Sequence, residues 1–319
     1  MTDDTATGER LAPDDAFSAL GNETRIDILR ALGDADPPLS FSELYDRIDI
    51  DDSSQFNYHL DRMVDHFVER DDGYRLTRAG QRVVEAVLSG SVTESPEFPR
   101  TEVDASCPYC DGTVEIRYGT GGVEHFCRDC DGRYGTVGRE DGTARPVEGY
   151  LGRNPFPPAG VQNRTPDEVL EASWVWGTLE VLTLSSGICP RCSATVEWSH
   201  SVCSDHDTDD GLCSTCEGRY AVSVHTECTN CIFAAGGEPV NALAANTDLL
   251  ALLTAAGRNP VNPDAVPRVE TAHGAYEERV HETNPLRAEY IFEAGGDRLA
   301  LTVDDNLEVV ETVRSAAAE

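Results

Sequence analysis

The chain of 319 residues contains no lysine, so its 25 basic residues are all arginine, against 58 aspartates and glutamates. The net charge at pH 7 is therefore −33. The acidic residues are spread along the chain and apolar periodicity persists between them, which excludes a disordered acidic tail as the explanation. Since salt screens the repulsion between carboxylates, this composition predicts a protein of a salt-saturated cytoplasm.

Long apolar runs and catalytic motifs are also missing. No run approaches the length of a membrane span, and residues 1–15 are acidic without the apolar core of a signal peptide. We therefore expect a soluble cytoplasmic protein with no membrane partner. The sequence has no H-E-x-x-H, no P-loop, no G-x-G-x-x-G, and no H-x-E ahead of a P-C-x-x-C. We accordingly expect that the protein is not an enzyme.

Cysteine is absent from the first third of the chain. All eleven cysteines lie from Cys107 onwards. In a reducing cytoplasm, cysteines at paired spacing favour metal binding over disulfides.

The segment over residues 52–62, DSSQFNYHLDR, predicts a helix that begins after Asp52. Phe56, Leu60, Met63 and Phe67 recur on one helical face, which should be buried. The opposite face is polar, and it is either an ordinary solvated surface or a surface that contacts bases and phosphates. With the hairpin that follows, the candidate DNA-binding residues are Ser54, Gln55, Asn57, Tyr58, Arg62, Arg70 and Arg75.

The neighbouring segments favour a surface that contacts bases and phosphates. Asn22 and Ser40 are placed to cap two earlier helices, and residues 67–76 read as two short strands around a turn at Asp72 and Gly73. Thr77 then caps a last helix. This order, two helices, a recognition helix, a hairpin and a last helix, is that of a winged helix-turn-helix domain.

Four stretches in this region carry a resemblance: FSALGNETRIDILRAL, SFSELYDRI, SSQFNYHLDRMVDHFVE and DGYRLTRAG. Together they resemble the ArsR-type winged-helix regulators of halophilic archaea. The resemblance implies a homodimeric transcription factor that reads double-stranded DNA. Metal-sensing members usually carry a Cys-Val-Cys-type motif on the reading helix, which this chain lacks. Carboxylates outnumber arginines over residues 14–90, which counts against DNA binding.

Two C-x-x-C pairs, Cys107/Cys110 and Cys127/Cys130, follow with sixteen residues between them. The intervening stretch alternates and contains a Gly121-Gly122 turn, so it should be a hairpin. Two such pairs joined by a hairpin predict a zinc ribbon with one structural Zn²⁺ on four thiolates. A redox dithiol or buried free cysteines are the alternatives.

The sequence then repeats itself: CPYCDGTVE and CRDCDGRY are echoed by CPRCSATVE and CSTCEGRY, which indicates a duplicated ribbon. In one assignment two zinc ions bind, the first to Cys189, Cys192, Cys213 and Cys216, and the second to Cys203, His206, Cys228 and Cys231. In the other, one zinc binds and the remaining thiols are free or redox-active. The first assignment is favoured because His206 supplies a fourth ligand. His200 and His225 are weaker candidates.

The remaining segments predict a helix from Thr165 to about Leu184, with Val169, Ala172, Trp176 and Leu179 on one face, a short helix over 246–256, and a four-stranded meander over 276–313. The predicted fold class is multidomain α+β. The predicted boundaries are a disordered tail at 1–10, a winged helix at 11–92, a linker at 93–105, a zinc ribbon at 106–138, a linker at 139–163 and a C-terminal α+β domain at 164–319 holding the second cluster at about 187–236.

These features predict a DNA-binding transcriptional regulator stabilised by zinc. Two alternatives remain open. One is a zinc-stabilised adaptor that docks on the transcription machinery without reading DNA. The other is a thiol-based redox sensor that loses metal when Cys203 or the Cys228/Cys231 pair is oxidised.

Overall fold

A computed structural model describes residues 11–36, 38–119, 121–138, 144–207, 211–259 and 276–316, with the backbone alone at 137–138 and 144–145. The predicted tail at 1–10 lies outside these residues. The protein is a mixed α+β chain that divides into two units, Met1–Glu94 and Ser95–Glu319. Within the described ranges, no helix is long and apolar enough to cross a membrane.

The first unit is helical with one small hairpin. Its elements are α1 (Pro13–Leu20), α2 (Glu23–Gly33), α3 (Phe41–Tyr45), α4 (Ser53–Asp61), β1 (Val68–Arg70), β2 (Tyr74–Leu76) and α5 (Arg78–Leu88). The predicted caps are confirmed: Asn22, Ser40 and Thr77 each accept a hydrogen bond from a main-chain N–H of the following first turn. Asp52 caps α4 in the same way. Each cap satisfies a donor that the first helical turn leaves unpaired.

The core of this unit holds α4 by its apolar face. Phe56, Leu60, Met63 and Phe67 are all buried, as the helical periodicity predicts. The β1–β2 hairpin is antiparallel, with Val68 opposite Leu76. Its turn requires Gly73, whose φ is +131° and whose position leaves no room for a Cβ, which would lie 2.8 Å from the Cβ of Pro38.

The second unit begins with a five-stranded antiparallel sheet in the order β3-β4-β5-β7-β6. Its strands are β3 (Phe98–Ser106), β4 (Thr113–Gly119), β5 (Gly122–Cys127), β6 (Tyr134–Gly138) and β7 (Ala144–Pro155). The linkers predicted at 93–105 and 139–163 are therefore wrong, because they contain β3 and β7. Prolines in the first segment, and glycines with prolines in the second, are typical of irregular structure. The structure instead interrupts the pairing of these strands with register shifts, at Phe98/Thr101 and His125/Phe126.

Helix α6 (Pro166–Ser185) packs against this sheet, after a 3₁₀ turn at Pro158–Gly160. Thr165 and Glu168 form the capping box that starts it. The predicted buried face is wrong in its second half: Trp176 and Leu179 are 44% and 48% exposed, whereas Trp174 is buried. The helix is apolar on several sides, so the spacing of its apolar residues does not select one face.

The rest of the unit combines two antiparallel sheets with short helices. The elements are β8 (Val196–Val202), β9 (Val222–Cys228), β10 (Ala234–Gly237), α7 (Val240–Leu243), α8 (Thr247–Ala255), β11 (Tyr276–Thr283), β12 (Leu286–Ala294), β13 (Asp297–Val303) and β14 (Val309–Ala316). Strands β10-β9-β8 form one sheet, and β11 to β14 form the predicted meander in chain order. One core joins the two sheets and both helices, with Val224, Val240, Leu249, Tyr290 and Leu301 buried in it.

Candidate metal centres and nucleic-acid interface

All five C-x-x-C segments share one local geometry. The main-chain N–H two residues after the first cysteine donates to that cysteine's Sγ, at 3.3 to 3.5 Å. Asp111, Ser193 and Glu217, which directly follow three of the pairs, have φ between 54° and 62°. This turn brings both sulfurs of a pair to the same side of the main chain, and its N–H donors stabilise the thiolate form that binds metal.

The first cluster consists of Cys107, Cys110, Cys127 and Cys130, whose sulfurs all lie within 4.8 Å of one another. Sγ of Cys107 is 3.7 Å from that of Cys130, and Sγ of Cys110 is 3.5 Å from that of Cys127. Four thiolates around Zn²⁺ at a bond length of about 2.3 Å are separated by about 3.8 Å. The spacing is therefore that of a metal-binding tetrahedron and far exceeds a disulfide bond. The structure brings together the four residues that the sequence groups.

The other cysteines form two further clusters, one of Cys189, Cys192, Cys228 and Cys231, and one of Cys203, His206, Cys213 and Cys216. In the second cluster, which contains Cys189, two pairs of sulfur atoms lie 3.7 Å and 3.4 Å apart. In the third cluster, which contains His206, Nδ1 of that histidine lies 3.4 Å from Sγ of Cys216. The predicted grouping of the ligands for two zinc ions is therefore wrong in its partners, and each of the eleven cysteines belongs to one of the three clusters.

The topology explains the exchange of partners. Strands β8 and β9 pair as a hairpin, just as β4 and β5 do. The pair that closes the first hairpin follows β5, and its counterpart, Cys228/Cys231, follows β9. The third cluster instead lies in the long connection between β8 and β9, where the first hairpin has only a tight turn.

The repeated segments C-x-x-C-x-G-R-Y, at 127–134 and 213–220, contact each other. Tyr134 forms a β-bridge with Gly218. The N–H of Gly135 donates to the carbonyl oxygen of Glu217 at 2.8 Å. The sequence repeat therefore corresponds to a contact between the first and third clusters rather than to two equivalent ribbons.

Protons and metal compete at these thiols. Main-chain N–H groups of Asp207, Cys216 and Thr215 lower the pKa of Cys213 to about 6. Burial raises the pKa of Cys130 to about 11, and it raises that of Cys216 to about 11 as well. A metal ion that bound to the thiolates of Cys130 or Cys216 would therefore displace a proton, and its affinity would rise with pH.

The candidate DNA-binding side chains on α4 face solvent. Ser54, Gln55, Asn57 and Tyr58 are exposed, Tyr58 by 55%, and so is Arg62 at the helix end. Within the described part of the chain, Arg62 makes no ion pair, whereas Asn57 donates to Asp61 at 2.8 Å.

The two hairpin arginines differ. Arg70 is exposed, and its guanidinium carbon lies 5.5 Å from the ring centre of Tyr74. Arg75 instead pairs with Glu69 and lies 3.8 Å from a carboxylate oxygen of Asp71. Its charge is thus already balanced, which makes it a poorer phosphate ligand than the sequence suggests.

The sequence does not predict one buried contact of this unit, between Arg25 and His59. Arg25 donates from Nε to Nδ1 of His59 at 3.3 Å, and from Nη1 to the carbonyl oxygens of Ser18 and Ala19 at 2.9 Å each. Burial, and then the charge of Arg25, lower the pKa of His59. This pair ties α4 to α2 and to the end of α1. No short-range pattern marks it, because its members are 34 positions apart.

Fold and site together define a mixed α+β protein with a helical, hairpin-bearing first unit and three four-ligand cysteine and histidine clusters consistent with metal binding. The family model described as "Domain of unknown function (DUF7351)" matches residues 104–309, more than half of the chain, and the chain belongs to this family. A second model, "Domain of unknown function (DUF7347)", matches residues 13–87. No curated protein and no solved structure matches the chain.

Proposed function

We propose that residues 13–87 form a winged-helix domain that binds double-stranded DNA, and that the protein is a transcriptional regulator. The observation that carries the proposal is the placement of Tyr58 and Arg62. Both are exposed one turn apart on α4, while Phe56 and Leu60 anchor the helix in the core. A helix presented in this way fits the major groove, where such side chains bond base edges.

The order of elements and the resemblance to ArsR-type regulators support this proposal. The β1–β2 hairpin directly follows α4 and carries the exposed Arg70, which is suited to a phosphate or the adjacent groove. Ser54 and Gln55, exposed in the first turn of α4, add hydrogen-bonding groups without charge.

The acidity of the unit limits how it binds. Carboxylates outnumber arginines over residues 14–90, and molar salt reduces the counterion contribution further. Specificity and affinity must then depend mainly on base contacts from Ser54, Gln55, Tyr58 and Arg62. We therefore expect a salt dependence shallower than that of a basic DNA-binding protein.

We propose three structural Zn²⁺ ions, one in each cluster. A set of four protein ligands leaves no open position for water or substrate, so the ions do not catalyse a reaction and the protein is not an enzyme. The ion at Cys189 and Cys231 would join segments 42 residues apart, in a chain whose carboxylates repel one another.

We further propose that the protein binds DNA as a homodimer. Phe17 on α1, Leu88 at the end of α5 and Val92 just beyond it are 75%, 52% and 70% exposed. A second copy would bury these side chains, and two-fold pairing would present two α4 helices to neighbouring half-sites.

The experiment is footprinting on the protein's own promoter in molar KCl, together with genome-wide mapping of binding sites in the native host. We expect a footprint that is lost when Tyr58 and Arg62 are both replaced by alanine. Arg82→Ala is the matched control, since Arg82 is exposed on α5 and pairs with Glu85. A footprint that survives the double replacement contradicts the proposal.

A second candidate function is an adaptor that docks on a partner of the transcription machinery. It is favoured by the exposed Trp176, Leu179 and Ile188 in the second unit. An adaptor would leave no footprint on DNA. It would bind the polymerase in a pull-down experiment, and polar replacements of these three side chains would abolish that binding.

Sensing through cysteine oxidation is a further proposal, and the zinc content before and after peroxide treatment tests it.

A further inference from the structure

The third cluster differs from the other two in what holds its ligands in place. Cys127 of the first cluster ends β5, and Cys228 of the second cluster ends β9, so strand pairing fixes part of each ligand set. The four ligands of the third cluster all lie in the connection between β8 and β9, and none of them is in a helix or a strand. A segment with so little regular structure opens at a lower cost in free energy than a paired hairpin does.

The donor set of the third cluster differs as well. His206 contributes a ring nitrogen, whereas each of the other two clusters consists of four cysteines. An imidazole is neutral when it binds a metal ion, so it attracts a dication less strongly than a thiolate does. The third cluster should therefore hold Zn²⁺ less tightly than the two clusters with four thiolates.

A cavity of about 380 Å³ opens beside the third cluster. Cys203 and Cys216 are among the residues that line it, together with Ser201, Thr215 and Ser223, which carry hydroxyl groups. The ligands of the first and second clusters are not among these lining residues. Because Cys216 is also exposed, a small chelating molecule can approach this ligand set from solvent.

The same segment extends the edge of the five-stranded sheet. β6 is the last strand of that sheet, and its residues Tyr134 and Gly135 contact Gly218 and Glu217 through a β-bridge and a hydrogen bond of 2.8 Å. Glu217 and Gly218 directly follow Cys216 in the sequence. The contact at this edge therefore depends on the order of the segment around Cys216.

We propose that the third cluster is an exchangeable Zn²⁺ site, filled or emptied according to the available zinc, and that Zn²⁺ is thereby a ligand to which the protein responds. The proposal rests on the zinc occupancy proposed above and does not depend on DNA binding. In the zinc-bound protein, the connection between β8 and β9 is ordered and contacts β6. In the protein without the third ion, Glu217 and Gly218 lose that contact, while the first and second clusters stay intact.

The test equilibrates the full-length, zinc-loaded protein in molar KCl with EDTA buffers of decreasing free Zn²⁺ concentration. Native mass spectrometry then counts the ions that remain. The first ion should leave at a free zinc concentration at least about tenfold higher than the next, because its ligand set is less charged and less ordered. Iodoacetamide added at that stage should label Cys203, Cys213 and Cys216 ahead of the remaining cysteines, as peptide mass spectrometry would show.

Hydrogen exchange measures the structural consequence. The main-chain N–H of Gly135, which donates to Glu217, should exchange at least about tenfold faster once the first ion has left, because its acceptor is no longer held in place. The N–H groups of β4, which pairs with β3 on one side and β5 on the other, should keep their protection.

A pair of histidine variants identifies the ion that leaves first. His206→Ala should hold two ions, and both should be retained down to the lower zinc concentration. His225→Ala is the matched control, because His225 is exposed on β9 and belongs to none of the clusters, and it should release its ions as the wild type does. If His206→Ala does not fold, the labelling of the wild type still identifies the cluster.

The inference is overturned if all three ions leave at the same free zinc concentration, or if the thiols labelled first belong to another cluster. It is also overturned if the exchange of the Gly135 N–H does not change when the first ion leaves. A zinc-saturated protein that holds fewer than three ions would instead contradict the proposed occupancy, and the inference with it.

Discussion

Arg219 donates from both Nε and Nη2 to the carbonyl oxygen of Gly132, at 3.1 and 3.0 Å. Its guanidinium carbon also lies 4.1 Å from the ring centre of Tyr109, which Arg133 approaches at 5.7 Å. The tyrosine follows Cys107 in the first C-x-x-C pair, so one aromatic ring contacts an arginine from each repeated segment. Arg219 therefore links the third cluster to the first by charge-assisted hydrogen bonds and a cation–π contact.

Replacing Arg219 by methionine tests the strength of that link. The change leaves the buried carbonyl of Gly132 without its donors and removes the contact with Tyr109. We expect the free energy of unfolding to fall by about 2 kcal/mol, measured by guanidinium denaturation of the zinc-loaded protein. Arg287→Met is the matched control, because Arg287 is half exposed and its ion pair with Glu311 spans 3.4 Å. The control replacement should lower the free energy of unfolding by less than about 0.5 kcal/mol. Equal losses of stability in both variants would contradict a specific role for Arg219.

Features set by short-range chemistry could be predicted from the sequence. The caps at Asn22, Ser40, Thr77 and Thr165 depend on residues three positions apart, and the strands of the meander depend on alternation. The first cluster could be predicted as well, because its hairpin brings the two pairs together directly.

Features set by long-range packing could not be predicted in the same way. The partners of Cys189 depend on which pair follows β9, and the repeated C-x-x-C-x-G-R-Y letters pointed to Cys213 instead of Cys228. The glycines and prolines of β7 predict a linker, although this segment pairs as a strand. The burial of Glu238 and its ion pair with Arg133 could not be predicted either, because the two residues lie far apart in the sequence.

Zinc counting after paired substitutions tests the cluster assignments. The wild type should hold three zinc ions per chain, and Cys192→Ser or Cys228→Ser should each leave two. The double variant of Cys192 and Cys228 should also leave two, because both residues serve one cluster. The double variant of Cys192 and Cys213 should leave one. Native mass spectrometry gives these counts without unfolding the protein.

The grouping inferred from the sequence repeat makes the opposite prediction. It puts Cys192 and Cys213 in one cluster and Cys228 in another, so the first of these double variants would lose two ions and the second only one. The two double variants thus decide between the assignments, and the single variants serve as their controls.

Arg62→Gln tests the contribution of α4 to the proposed DNA binding. Glutamine keeps hydrogen-bonding capacity but loses the charge and the forked donor geometry, so affinity for the mapped operator should fall by about tenfold. Arg82→Gln makes the same change on α5 and should leave affinity within about twofold, because surface substitutions away from a binding face have small effects. Fluorescence anisotropy at fixed KCl concentration measures both. Equal losses would assign the effect to net charge rather than to a contact.

The pH dependence of stability should carry a contribution from Glu278. Burial raises the pKa of this carboxyl from 4.5 to about 7, although it accepts hydrogen bonds from the main-chain N–H groups of Ala221 and Val222. A carboxyl whose pKa is higher in the folded state than in the unfolded state stabilises the fold fully below the unfolded pKa. That stabilisation is lost as the pH rises through the folded value. Stability should therefore decline between pH 5.5 and 8.5 on account of this group, by on the order of 2 kcal/mol.

Glu278→Gln should remove that decline, because glutamine can accept the same N–H bonds but does not titrate. Glu282→Gln, at an exposed position on the same strand, should leave the decline in place. Denaturation curves of all three proteins across this pH range, with saturating zinc throughout, separate the carboxyl from metal release. Since every cluster binds zinc more tightly as the pH rises, metal release alone makes stability increase with pH. A wild type and a Glu278→Gln variant with parallel profiles would show that Glu278 has the same pKa in both states, and that the two N–H bonds fully offset its burial.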